Sequence, residues 1–278
     1  MNRNEKASRS ILVEREAPLL EKNPPVNARY VAVIARDSLQ EATAQFRRSK
    51  RGFWPLFPKI ACEASRHGAD VLMFSLWSHD ERRMGELSKK DLFPIGTHHS
   101  AVLLGVKRHD GKELVEHIEV WHRSRRSPLR LRQYFARVSD SKKRKELLIQ
   151  NLTRRQFGPT MLLLCGETNI VRTQRGKADI VDDFRFRSRL RKCGIDVIFN
   201  PSHTYMHRPE MARKRRAISR WVRIVISVWN RGNPEKGSES KLPWVAYSNG
   251  KDITGEIKEI TLPAELRQGV RMGLIRVG

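Results

Sequence analysis

The chain has 278 residues, 39% of them hydrophobic, enough to bury a full core as a single α/β unit. Its 55 Lys and Arg against 30 Asp and Glu leave a formal charge of +25, a surface that concentrates anions. No apolar run approaches the ~20 residues of a membrane span, and charges from Arg3 to Arg15 break every apolar run near the start, so a soluble, cytoplasmic protein is expected. Cys62, Cys165 and Cys193 are odd in number and lack CxxC spacing, which suggests neither a disulfide framework nor a cysteine-rich zinc site.

Residues 1 to 28 form a polar N-terminal extension ending in Lys22-Asn23-Pro24-Pro25, whose prolines favour an extended lead-in over a helix, and one domain is expected from residue 29 to 278. Tyr30 to Ala35 reads as a buried strand, and Leu39 to Arg51 carries apolar residues at helical spacing. Ile60 to His67 continues as helix and stops at Gly68. Ala69 to Phe74 is a second strand whose apolar run suits a sheet covered on both faces. Ser100 to Lys107 and Leu114 to Trp121 read as neighbouring strands around the turn His109-Asp110-Gly111. Lys142 to Leu152 reads either as helix or as solvated linker. Three further apolar runs alternate with helical segments: Met161 to Leu164 leading into Cys165-Gly166-Glu167, Ile195 to Phe199 into Asn200-Pro201-Ser202-His203, and Ile224 to Val228 into Trp229-Asn230. Val270 to Val277 alternates as a closing strand.

Basic runs at 47–51, 123–126, 142–145 and 213–216 are scattered instead of forming one tail. They read two ways: a broad face for nucleic acid or another polyanion, or solvated arginines with no specific partner. No zinc-finger, helix-turn-helix or aromatic RNA-binding signature favours the first.

Cys165 stands where an apolar strand ends and Gly166 permits a tight exit, a geometry that suits a nucleophile with the Gly166 amide as oxyanion donor. A cysteine after three leucines also reads as a small buried core residue. His203 and His207 are four apart, but nearby Pro209 and the lack of an acidic ligand make them loop histidines, and His98-His99 lack partners likewise. Neither metal nor cofactor is expected.

In order along the chain, Leu163-Leu164-Cys165-Gly166-Glu167, then Lys192-Cys193-Gly194 through Asn200-Pro201-Ser202, then Arg216-Ala217-Ile218 through Asn230-Arg231-Gly232 resemble the nucleophile motif and two following strands of the carbon-nitrogen hydrolase superfamily, the nitrilases and amidases. Val31-Ala32-Val33 and His67 through Phe74 are similar to its first two strands. The resemblance implies a four-layer α-β-β-α sandwich, a homodimer through the Cys165 region, and a Glu-Lys-Cys catalytic set. Its chemistry is thiolate attack on a small amide or nitrile, a covalent intermediate, then hydrolysis. Cys165 takes the nucleophile position with Glu167 close by. Leu76 stands where the family has its general base, leaving His79, Asp80 and Glu81 as substitute bases. The best placement of the family's lysine falls on Arg123, which keeps the charge but not the compact ammonium. Ser219 replaces the usual glutamate after Arg-Ala. The expectation is a nitrilase-like hydrolase of a non-peptide carbon-nitrogen bond with a remodelled catalytic set; the alternative is a catalytically degenerate nitrilase-fold protein that binds nucleic acid or another polyanion.

Overall fold

In the computed structural model the described residues are 22–36, 56–76, 78–80, 87–110, 113–135, 139–174, 180–202, 209–230, 242–267 and 269–278. Apolar runs become strands here because both of their faces are covered. The first half of the chain supplies β1 (Tyr30–Arg36), α1 (Phe57–Arg66), β2 (Val71–Phe74), the short β3 (His79–Asp80), α2 (Lys89–Leu92), β4 (Ala101–Asp110), β5 (Glu113–His122) and β6 (Leu129–Arg132). The second half continues with α3 (Lys142–Gln150), β7 (Gln156–Phe157), β8 (Thr160–Leu162), β9 (Arg172–Thr173), β10 (Ile180–Val181), α4 (Phe186–Lys192), β11 (Val197–Pro201), α5 (Pro209–Ile218) and β12 (Ile224–Val228). It closes with β13 (Trp244–Ser248), β14 (Lys251–Asp252), β15 (Lys258–Glu259), α6 (Ala264–Arg267) and β16 (Val270–Arg276).

The strands form two main sheets. The first runs β15-β16-β1-β2-β4-β5-β6, with β3 beside β4, and the second runs β14-β13-β12-β11-β8-β7. Within the first, β1, β2 and β4 are parallel, and β16 is antiparallel to β1, with β15 outside it. β4 and β5 form the expected hairpin, paired from Ala101 opposite His122 to Asp110 opposite Glu113. Within the second, β8, β11 and β12 are parallel.

Side-chain alternation sorts the layers, because successive strand residues face opposite ways. Val31, Val33, Val71 and Met73 of the first sheet meet Leu162, Phe199 and Ile226 of the second in one buried cluster. Ala32, Ile34, Leu72 and Phe74 face the other way, onto Phe57, Ile60 and Ala64 of α1. Met161, Ile198 and Val225 on the outer face of the second sheet pack against α3, α4 and α5 through Leu148, Phe186, Leu190 and Ile218. The result is the four-layer α-β-β-α sandwich. The segment Lys142 to Leu152, readable as helix or linker, is helical over Lys142–Gln150, capped by Ser141, whose hydroxyl accepts from the Arg144 amide, and anchored by buried Leu148 and Ile149. The expected helix at Leu39 to Arg51 lies outside the described residues. Part of the polar lead-in packs onto the body: the Asn23 side-chain amide donates to the Arg154 and Gln156 carbonyls, and buried Val26 pairs its amide with Phe157. Among the described residues, no helix is long and apolar enough to cross a membrane.

The two sheets are stitched where β2, β11 and β12 end. The Leu76 amide donates to the Ser202 carbonyl at 2.9 Å. Asn230 Nδ2 donates to the Leu76 carbonyl at 2.8 Å, while its Oδ1 accepts from Ser75 Oγ at 2.6 Å. Gly105 of β4 makes room for this crossing, since a Cβ there would stand 2.3 Å from the Leu76 Cα and 2.6 Å from the Ser75 carbonyl oxygen. Gly105→Ala is expected to cost ~1–3 kcal/mol, as overpacking of a filled interior does. Urea unfolding should show a lower midpoint at unchanged slope; an unaltered midpoint would refute the crowding.

Candidate active site around Cys165

β8 delivers an extended Leu163-Leu164 into a one-residue reversal. Cys165 has φ +41°, one of three non-glycine residues with positive φ among the described residues. That conformation costs an L-residue roughly 1–2 kcal/mol, so its surroundings must impose it. Glu167 does so from within the following 3₁₀ turn, Cys165–Ile170. One of its carboxylate oxygens accepts the Leu164 amide at 2.8 Å; the other accepts the Tyr134 amide at 2.8 Å and Arg155 Nη2 at 2.9 Å. Complete burial pushes the Glu167 carboxyl up, opposed by Arg155 and by the two amides. Arg155 is itself buried, lies over the Tyr134 ring at 5.0 Å and donates to the Arg132 carbonyl. From the other side, Asn200 Nδ2 donates to the carbonyls of Leu163 at 2.8 Å and Cys165 at 3.0 Å. Asn200 Oδ1 accepts from Ser227 Oγ at 3.0 Å and faces Arg215 Nη2 at 3.4 Å.

α5 adds two buried cations. Lys214 donates to Asn169 Oδ1 at 2.6 Å and Glu210 Oε1 at 2.5 Å, and burial pushes its ammonium down. Arg215 is 1% exposed, with its guanidinium 5.6 Å from the Trp229 ring centre. Burial lowers it to about 10, while the charges of Tyr247 and Cys165 favour its protonated form. In the sequence Lys214 and Arg215 were part of the basic run 213–216. A buried-face signal was nevertheless present, because Met211, Lys214, Arg215 and Ile218 follow the i, i+3, i+4, i+7 spacing of one helix face, and all four are buried.

The residues singled out from sequence separate. Cys165 is 4% exposed and shares the inter-sheet cluster with Leu76, Leu164 and Val228, so Leu76 does sit at this end of the sandwich. Gly166 is buried in the turn directly after the sulfur. Glu167 requires a correction of role: its oxygens are taken up by two backbone amides and Arg155, which makes it the carboxylate that shapes the turn and not a proton acceptor for sulfur. His79 is buried with its ring 6.2 Å from that of Phe57, on the α1 side of the first sheet and not between the sheets. Asp80 pairs through its backbone with Lys107, beyond Gly105 along β4 and so toward the Cys165 edge. The side chain of Asp80, and Glu81, His203 and His207, lie outside the described residues.

Arg123 also requires correction. β5 runs antiparallel to β4, so its last residues reach the edge where β4 begins, and the Arg123 amide donates to the Ser100 carbonyl. Ile118, opposite Gly105, marks the level of Leu76, and Arg123 lies five residues further, roughly 17 Å along the strand. Its guanidinium is committed there to the His99 and Thr97 carbonyls, both at 2.9 Å, and over the Phe93 ring at 5.0 Å. The return strand β6 instead brings Arg132 and Tyr134 to the Cys165 edge.

The three cysteines are free thiols, and among the described residues no group of three or more His, Cys, Asp or Glu gathers as a metal site. No family model matches this sequence, and no curated protein matches it. Solved structures do. An amidase from Nesterenkonia sp. aligns at 10% identity over 89% of each chain, TM-score 0.42. A serine variant of the Nesterenkonia AN1 amidase from the nitrilase superfamily aligns at 10% identity over 94% of this chain and 93% of that one, TM-score 0.43. A glutamine-dependent NAD(+) synthetase from Cytophaga hutchinsonii aligns over 82% of this chain but 40% of its own, at 10% identity and TM-score 0.40.

The pocket that receives Arg123 contains a pH-sensitive element. His99 stacks on Phe93 at 4.9 Å, with one ring nitrogen on the Leu92 carbonyl at 2.8 Å and the other on Ser65 Oγ at 3.1 Å, and burial lowers it to about 4. A depressed folded-state value stabilises the fold above the ordinary histidine range, and that contribution is lost as pH falls from about 6.5 through about 4. The group should contribute up to about 3 kcal/mol of stability that disappears between pH 7 and pH 4. Urea unfolding at the two pH values should show a larger loss for the wild type than for His99→Gln; equal losses would contradict the assignment.

Proposed function

We propose that this protein hydrolyses a non-peptide carbon-nitrogen bond of a small amide, with Cys165 as nucleophile. The observation that carries the reading is the strained left-handed backbone of Cys165 at a strand end, bracketed by Glu167 and Asn200 and electrostatically coupled to buried Arg215. Strain held by this many partners at one reactive residue points to chemistry, since packing alone would be served by relaxed backbone. The sulfur attacks the amide carbonyl as thiolate, the carbon-nitrogen bond breaks, and the amine leaves with a proton. Water then cleaves the thioester to give the acid and return the thiol. The Gly166 amide follows the nucleophile and is the proposed oxyanion donor. Arg215 takes the electrostatic part expected of Arg123, favouring the thiolate from a fixed, desolvated position.

Proton transfer to and from water falls to Asp80 or Glu81 in this proposal. Asp80 ends β3, which pairs with β4 beyond Gly105, and Glu81 is the next residue in the sequence, whereas Leu76 has no proton acceptor and Glu167 is occupied. Intact-mass measurement and amine release over a panel of short-chain amides provide the test. The wild type should turn over at least one amide, and Cys165→Ser should lose turnover by ~10³-fold or more. Asp80→Asn or Glu81→Gln should accumulate an acyl adduct on Cys165, because attack survives when water activation does not. No adduct and no turnover with any amide would overturn the reading.

A further inference from the structure

α4 has the sequence Phe-Arg-Ser-Arg-Leu-Arg-Lys, and only Phe186 and Leu190, four apart, point into the core. Arg187, Arg189, Arg191 and Lys192 are therefore exposed, with no acidic residue in the helix. α5 buries Lys214 and Arg215 but exposes Arg213 and Arg216, and α3 exposes Lys142 and Lys143. All three helices cover the same face of the second sheet. Acids on this face are matched locally: Glu146 lies 3.7 Å from Lys142, and Asp183 pairs with Arg172 at 2.7 Å. The groove of about 820 Å³ between α3 and α4 is mixed in charge, with Lys142, Lys145 and Arg189 facing Asp140, Glu146 and Asp183, so the excess of cations lies on the outer surfaces of α4 and α5. On the opposite helix layer, among the described residues, Lys59 is paired to Glu265 and Arg66 to Glu63.

We infer that the face built by α3, α4 and α5 binds a nucleic-acid duplex through its phosphates. The cations are spread over three helices, which matches a repeating polyanion better than a single phosphate, and most are arginines, whose planar fork suits phosphate oxygens. An anionic membrane fits less well. The large hydrophobic side chains exposed among the described residues are Tyr30 and Ile95, both outside this face, so it has no apolar anchor to insert. A single strand would call for exposed aromatic platforms, whereas Phe184 and Trp221 here are half-buried in the core beneath the helices. A second copy docked through the same face would set arginine against arginine.

The experiment is fluorescence anisotropy of a labelled 20-base-pair DNA duplex with the full chain, from 50 to 200 mM NaCl. Binding should weaken linearly in log-log form, with a slope of about −4 or steeper. Combining Arg187→Gln, Arg191→Gln, Arg213→Gln and Arg216→Gln should make the slope shallower by about 3 and weaken binding at least about tenfold. Combining Lys59→Gln, Arg66→Gln, Lys258→Gln and Arg276→Gln removes the same charge from the first-sheet side and should change the affinity by less than about threefold. Cys165→Ser should bind like the wild type, which separates this proposal from the fate of the hydrolase reading. No binding at 50 mM salt, equal weakening by the two quadruple variants, or capture by phosphatidylserine vesicles with none by the duplex would overturn it.

Discussion

One buried carboxylate governs the geometry of the Cys165 end. Glu167 has no exposure, and its charge is acceptable there only because Arg155 and two backbone amides from separate segments converge on it. Breaking such a pair from one side costs about 3–5 kcal/mol, since the remaining charge stays buried. The same contacts do geometric work. They bind the Leu164 amide from three residues downstream, which closes the 3₁₀ turn and leaves Cys165 in the left-handed region. Through Tyr134 and Arg155 they also tie this turn to the chain leaving β6, so the first sheet and the Cys165 turn are positioned together.

The parts of the fold legible in the sequence were those with local periodicity. Ala69 to Phe74, Ile195 to Phe199 and Ile224 to Val228 read as strands, the first as one covered on both faces, and the turn His109-Asp110-Gly111 pointed to the β4-β5 hairpin. The site was less legible, for a physical reason in each case. Glu167 sits two residues after a cysteine whether it accepts a proton or braces a turn, and the contacts that occupy it include Arg155 and the amide of Tyr134, 33 residues upstream, which the local motif does not reveal. Arg123 was misplaced because the direction of β5 relative to β4 inverts which edge its end reaches, and sequence motifs carry no direction. Lys214 and Arg215 were hidden inside a basic run that looks uniformly solvated until helix phase is applied.

That run shows how one short segment serves two ends. In Arg213-Lys214-Arg215-Arg216 the inner pair faces the Cys165 turn and Asn200, while the outer pair faces solvent with the cations of α4. Burial is what distinguishes them: it lowers the inner cations and strengthens their effect on neighbours, whereas the exposed ones act collectively and through salt-screened fields. A chain with a large positive charge can thus bury a few cations against one turn and leave the rest to form a surface.

In the proposed hydrolase, Arg215 holds the sulfur of Cys165 in reach of ionisation. Thiolate absorbance at 240 nm, followed against pH and corrected with Cys165→Ser, measures this directly in the wild type and in Arg215→Met. The account predicts that the Cys165 thiolate appears at distinctly lower pH when Arg215 is present. Superimposable titrations, or a sulfur that fails to ionise in either protein below the pH of unfolding, would contradict it.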